Sequence, residues 1–282
     1  MGELKNPFDK EKALEMINKL RAASQEFSQA NTFTSSKTTH KCPKCKDEEG
    51  YIVKVPDIIV RNGETLEIMR DAWKFCECKE ERSIERTFKT SKITLEFQKK
   101  NFDAFSLENR PASIRQAYQM ARIYANGFDK IRETRSNSIC MLGNVGSGKT
   151  HLLAAVANDL MSLNIKVLYF PWVEGFNEIK DDLSLTEERI NRMQKVDLLF
   201  IDDMWKGRKE PTPFQIEQAF AVINYRYMEK LPVLISSERD IDQMCDIDEA
   251  IGSRINEMCK DFRIILKGGR EMNYRLREDE GA

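Results

Sequence analysis

The sequence predicts an α/β fold: a parallel sheet flanked by helices, preceded by a small cysteine-rich module and an N-terminal helix. Three observations carry this expectation. From about residue 101 onward, short apolar runs alternate with helical periodicity. The first of these runs, Ser138–Leu142, leads directly into Gly143-Asn-Val-Gly-Ser-Gly-Lys-Thr-His151. Four of the seven cysteines fall in two close pairs before residue 80.

The chain of 282 residues allows one to three domains and a sizeable core. With 32% charged and 41% hydrophobic residues it reads as a soluble globular protein. A net charge of −1 makes any nucleic-acid surface a local feature. No apolar run approaches the roughly 20 residues that span a bilayer. The first residues lack the apolar core of a signal peptide, and Asn6 stands where myristoylation wants Ser or Thr. A cytoplasmic protein with no membrane association is therefore expected. In that compartment cysteines serve as metal ligands or thiols rather than disulfides.

In chain order, residues 8–29 space Leu14, Ile17, Leu20 and Phe27 as one amphipathic helix. The Ser/Thr-rich stretch from Asn31 to Thr39 is a linker. Cys42-Pro-Lys-Cys45 is followed thirty residues later by Cys76-Glu-Cys78, and two such pairs supply the four soft donors of a tetrahedral Zn²⁺ site. Between them, Tyr51–Val55 and Thr65–Met69 would pair as a hairpin turned at Arg61-Asn-Gly-Glu64. The CxC pair is tight, so His40 is an alternative ligand; a redox pair or free thiols are the other readings. Six lysines and two arginines against eight acids in residues 40–79 do not favour DNA as the module's ligand. Residues 80–100, basic in balance, are read as a helical linker. The domains are thus 1–79, 80–100 and 101–282.

Five apolar runs then predict the strands of the sheet: Ser138–Leu142, Lys166–Phe170, Val196–Ile201, Pro232–Ser236 and Phe262–Leu266. The glycine-rich turn after the first fits the phosphate-loop pattern G-x-x-x-x-G-K-T. Its residues Gly143, Asn144, Val145, Gly146, Ser147, Gly148, Lys149, Thr150 and His151 are the candidate nucleotide cradle. Lys149 would meet the β and γ phosphates, and the Thr150 hydroxyl would ligate Mg²⁺. Asp202, at the end of an apolar strand, would hold the same Mg²⁺, and Asp203 would orient the attacking water. Ser237 or Glu238, after the next strand, would face the γ-phosphate, unless they merely end that strand. Cys140, Cys245 and Cys259 read as buried hydrophobes.

The runs GNVGSGKTH, VDLLFIDDM, LISSERD and IGSRINEM make residues 100–277 resemble the AAA+ initiator/helicase-loader group. The likeness is nearest to the DnaC/DnaI-type replicative helicase loader, bacterial or phage. The phosphate loop is common to nucleotide triphosphatases at large; the order and spacing of all four motifs are specific to this clade. The resemblance implies an ATPase that uses ATP and Mg²⁺, hydrolyses slowly, and depends on an oligomer or DNA. It implies a hexameric replicative DNA helicase and single-stranded DNA as partners. Arg254 matches an arginine finger that completes a neighbouring subunit's site, with a plain helix-surface arginine as the alternative. Glu238 takes the sensor-1 position, where a carboxylate accepts hydrogen bonds but donates no amide N–H. Asp203 stands in for the more common Glu. Only 16 residues follow Leu266, too few for the helical lid of ordinary AAA+ proteins, so a lidless core is expected. Residues 173–194 lie where the group inserts extra helices; Lys180, Arg189, Arg192 and Lys195 would touch DNA phosphates there, although neighbouring acids also fit a solvated mixed-charge face. Phe102 and Phe105 fall in the segment that lines the family's adenine pocket, and fit core packing equally well. The helix and zinc module together look nearer the DnaI arrangement, in which such a module docks on the helicase. Two rivals remain: an IstB-like transposition helper ATPase, and a non-hydrolysing zinc adaptor with ATP as a structural ligand.

Overall fold

β-branched residues crowd the stretch between the two cysteine pairs, and in the computed structural model it forms an antiparallel hairpin, β1 (Gly50–Arg61) and β2 (Glu64–Phe75). The structure describes residues 40–61, 64–181 and 186–276. The hairpin is longer than the sequence suggested, because pairing continues unbroken from Arg61↔Glu64 to Gly50↔Phe75. The Asn-Gly turn and the expected helix over 8–29 lie outside the described residues. Helix α1 (Cys78–Thr90) starts on the last of the four cysteines. The chain divides into two compact units, Met1–Arg86 and Thr87–Ala282.

The second unit opens with a short helix, α2 (Leu95–Gln98), capped by the Thr94 side chain. The Asn158 amide donates to the carbonyls of Phe97 and Lys100, at 3.0 and 2.9 Å, and so fixes this entry segment. Helix α3 (Ala112–Ile131) runs to Ile131, and near its end Phe128, 2% exposed, still reaches the core.

All five expected strands form: β3 (Ile139–Gly143), β4 (Val167–Pro171), β5 (Leu198–Met204), β6 (Val233–Ser237) and β7 (Arg263–Leu266). They make one parallel sheet in the order β4-β5-β6-β3-β7. Near-continuous apolar runs are what β3 to β6 need, since both their faces are covered, whereas the edge strand β7 alternates exposed and buried residues. Alternate residues serve the two sides: Ile139, Met141 and Phe200 join the layer containing α3 and α4 (Lys149–Ser162). Cys140, Leu142, Leu199 and Ile201 face the other layer. That layer is built by α5 (Trp172–Asp181), α6 (Thr186–Lys195), α7 (Pro213–Met228), α8 (Ile241–Ile247) and α9 (Glu249–Met258).

α7 starts sharply because Thr212 and Gln215 form a capping box with Pro213 at the first helical position. Its Arg226 is fully buried and donates to the carbonyls of Met193, Val196 and Pro232 at 2.7–2.9 Å. Those contacts engage both terminal nitrogens of a guanidinium whose pKa burial pushes down to about 9, leaving the buried Nε without a partner, and they lock the exit of α6 to the start of β6. Among the described residues no helix is long and apolar enough to cross a membrane.

Candidate nucleotide site and cysteine centre

In a parallel sheet, ligands gather beyond the carboxyl ends of the strands where the strand order reverses. β3 lies between β6 and β7, and its loop enters α4 at that point. A cleft of about 440 Å³ opens there. It is lined by Val145, Gly146, Gly148, Lys149, Thr150 and His151 from the loop, and by Asp202, Asp203 and Glu238 from the neighbouring strand ends.

The loop's curvature needs glycine. Gly148 has φ +99° and ends the loop as the helix N-cap, and a Cβ there would come within 2.7 Å of the Phe105 ring. Gly146, at φ +71°, has no room for one beside Asn273. Inside the curve the buried Lys149 ammonium donates to the carbonyl oxygens of Gly143 and Asn144 at 2.8 and 2.7 Å. Burial lowers its pKa. A phosphate bound in the loop would compete for the same ammonium protons, and a buried ammonium beside left-handed glycines at a helix N-terminus suits an oligophosphate. Gly143, Asn144 and Ser147 shape the loop without lining the cleft. The Asn144 side chain pairs with the Gly268 backbone, and Ser147 Oγ donates to Asn144 O.

The two adjacent carboxylates share the cleft because β5 is bulged. Ile201 pairs with Ile235 and Met204 with Ser237, so β5 carries one extra residue, and Asp203 adopts φ +55°. A straight strand would turn one of the two carboxylates away. Ser236 repairs the interrupted ladder: its Oγ accepts from Asp203 N–H at 2.7 Å and donates to Asp202. Thr150 donates to Asp202 Oδ1 at 2.8 Å, which joins the two groups expected to hold Mg²⁺. The other oxygen, Oδ2, accepts from the Tyr169 hydroxyl at 3.0 Å. Burial raises the Asp202 pKa, and the Ser236, Thr150 and Tyr169 hydroxyls oppose that rise. Oxygen donors in this number suit a hard divalent cation.

Tyr169 was not singled out from the sequence; a tyrosine inside an apolar strand reads as core. Its ring does pack between Phe97 and Phe200, and only the hydroxyl reaches the site. Replacing Tyr169 by phenylalanine is expected to keep the fold and weaken Mg²⁺-dependent nucleotide binding several-fold, the scale of one hydrogen bond to a charged group. With one opposing bond gone the Asp202 pKa rises further, so the acid side of the binding-versus-pH curve moves to higher pH. An unchanged magnesium requirement and pH profile would show the hydroxyl to be idle.

Lys206 also escaped the sequence reading. Its ammonium lies 2.8 Å from Asp203 Oδ2 and 3.1 Å from Glu238 Oε1. Toward the other end of the cleft, Phe105, Ala104 and Tyr274 offer apolar surface. Phe105 packs edge-on to His151, whose Nε2 lies 3.0 Å from Asn101 O. Phe102 is core. Arg275 also lines the cleft, because Tyr274 N–H donates to Gly146 O and folds the end of the described chain onto the loop. Ser237 does not reach the cleft; its hydroxyl donates to Met204 O.

Arg254 is elsewhere. It lies on α9, its Nη1 donating to Ala250 O at 2.8 Å and its guanidinium over the Phe220 and Tyr227 rings. It does not line the cleft of its own chain.

In the first unit Cys42, Cys45, Cys76 and Cys78 converge, all four sulfurs within 4.8 Å of one another. Cys42 and Cys76 Sγ are 3.7 Å apart, Cys45 and Cys78 Sγ 3.3 Å. Tetrahedral Zn–S bonds of about 2.3 Å put sulfurs roughly 3.8 Å apart, so the cluster is compatible with zinc. Backbone N–H groups of Cys45 and Lys44 help bring the Cys42 thiol down to about 7, favouring the ligating thiolate. His40 is not in the cluster; its Nδ1 lies 3.8 Å from Asp47. Asp47 accepts from the N–H groups of Lys41 and Cys42 and is paired with Arg82, which braces the knuckle.

Comparison with known proteins agrees with this architecture. Residues 98–259 match the family of the bacterial DnaA ATPase domain. The phage-like element PBSX protein XkdC of Bacillus subtilis is 40% identical over 93% of this chain and 96% of its own. Among solved structures, DnaI superposes with TM-score 0.52 at 23% identity, covering 62% of this chain and 94% of that one. The DnaC helicase loader gives 0.51 at 20% identity, covering 62% and 100%. At these identities the two structures establish the fold alone.

Proposed function

Because the chain belongs to the family of the bacterial DnaA ATPase domain, an AAA+ domain whose type implies nucleotide and Mg²⁺ use, we propose that it is an ATP-dependent loader of a hexameric replicative helicase. The cleft residues bind Mg²⁺–ATP. Lys149 and the loop hold the phosphates; Thr150 and Asp202 hold the metal, which supplies charge neutralisation when bound. Asp203 positions water. Arg254 of one protomer completes the site of the next, and the resulting assembly helps place the helicase on single-stranded DNA. The zinc-bearing first unit grips the helicase.

The observation that carries this reading is the meeting of Lys149, Thr150 and Asp202 in one glycine-cradled cleft. The likeness to a helicase loader in fold supports the rest. The test combines the full chain, a hexameric helicase, ATP and circular single-stranded DNA, and counts helicase rings on DNA by electron microscopy. Loading that needs both this chain and ATP is expected. Capture of a transposase instead would favour the transposition helper.

One observation gives weight to the non-hydrolysing adaptor. Asp203, the acid that would orient water, is held by Lys206. Phosphate release with helicase and DNA present separates the two readings. For either, Lys149→Ala should lose nucleotide binding by two orders of magnitude or more, since a buried ammonium makes several charged hydrogen bonds to phosphate. Calorimetric titration with ATP and ADP measures it.

A further inference from the structure

The end of β5 and the turn after it are built against the grain of their sequence. Asp203 and Trp205 both adopt positive φ, +55° and +66°, without being glycine, and Gly207 follows at +99°. Left-handed residues of this kind persist only where the surroundings over-determine them, and they collect at functional sites. Trp205 supplies the anchor: it is 3% exposed and packs edge-on against Trp172, ring centroids 4.6 Å apart. Lys206 N–H donates to Asp203 O at 3.0 Å, closing the turn. The result is that Lys206, next to a buried tryptophan, is aimed back into the cleft between Asp203 and Glu238.

Such a placement has an electrostatic purpose. Asp203 and Glu238 come from different strands and face a cleft that receives a polyanion. Two bare carboxylates there would repel a γ-phosphate. A lysine ammonium has three N–H donors and no acceptor. Two are directed at Asp203 and Glu238, and one remains for an oxygen in the cleft. Glu238 itself accepts hydrogen bonds and donates none.

We propose that Lys206 is this chain's own γ-phosphate contact, the group by which it distinguishes ATP from ADP. The inference rests on the nucleotide reading above and adds a residue to it. Lys149 serves any nucleotide that fills the phosphate loop. Lys206 sits among the acids beyond that loop, and its third donor, which meets solvent on a side chain 42% exposed, is open to a terminal phosphate. Arginine at 206 keeps the charge and the donors; methionine keeps the length and removes both.

Calorimetry with ATP and with ADP, Mg²⁺ present, on the full chain and on Lys206→Met and Lys206→Arg, tests this. For Lys206→Met, ATP affinity should fall about tenfold or more while ADP affinity stays within about twofold, the scale of one lost charged hydrogen bond. Lys206→Arg should recover most of the preference for ATP. Equal losses for both nucleotides, or tighter ATP binding by Lys206→Met, would overturn the assignment; the latter would make Lys206 a competing plug. Failure of the unsubstituted chain to bind either nucleotide would instead refute the ATPase reading.

Discussion

Arg254→Ala is expected to leave nucleotide affinity of the isolated chain within about twofold, and to cut ATP hydrolysis in the assembled state by ~10³–10⁵. The first half follows from position. Arg254 stacks over Phe220 and Tyr227 on the α7–α9 face and lines no part of its own cleft. Truncation therefore removes no contact with a nucleotide bound in the same chain. The second half follows from the proposed head-to-tail assembly, in which one protomer's guanidinium stabilises charge developing on another's phosphates. Mixing supplies the sharper version. A Lys149→Ala protomer has no working site but an intact Arg254; an Arg254→Ala protomer has a working site and no finger. Each alone should be inactive, and the mixture should recover a fraction of wild-type turnover. Phe220, 38% exposed beneath Arg254, belongs to the same face, so its contribution to assembly is separable by sizing Arg254→Ala. A loss of ATP affinity as large as that of Lys149→Ala, or a mixture as dead as its parts, would remove the finger role.

How far the sequence speaks depends on whether the signal is local. Four of the five strands were legible because a buried parallel strand must be apolar throughout, and that pattern survives any rearrangement of its neighbours; the edge strand β7 alternates exposed and buried residues and showed as a short apolar run. The phosphate loop was legible for a related reason: a tight turn with several left-handed positions admits little besides glycine, as Gly146 and Gly148 show. Tyr169 and Lys206 were not legible. Tyr169 looks like core and is core, except for one oxygen 3.0 Å from Asp202. Lys206 looks like a solvated lysine in a charged loop. Its place in the cleft comes from a bulge in β5 and two positive φ angles, which no residue pattern announces. The hairpin is longer than expected because its outer residues, Ile58 and Trp73 among them, are exposed, and none of the described side chains of β2 is buried.

Stripping metal from the first unit should unfold it while the second keeps its ATP affinity. Two-stranded hairpins are at best marginal alone in water, and β1–β2 is such a sheet. Its described side chains bury little else. Among the side chains whose burial is described, Cys45, Cys76 and Ile84 are the buried apolar ones. Ile52, Ile58 and Trp73 stand 66%, 63% and 52% exposed. For the described residues, burial on that scale falls far short of the conformational entropy of ordering them. A four-thiolate zinc contributes an apparent ~10–16 kcal/mol at neutral pH, which is enough. Native mass spectrometry should find one zinc per chain. Chelation, or Cys76→Ser, should abolish amide-exchange protection across residues 50–75 and leave residues 139–143 protected. Helicase capture should fail in the same samples, although ATP still binds. A chain that carries no metal and keeps its hairpin protection in chelator would mean that this unit is held by something other than its four sulfurs, and the zinc assignment would fall with it.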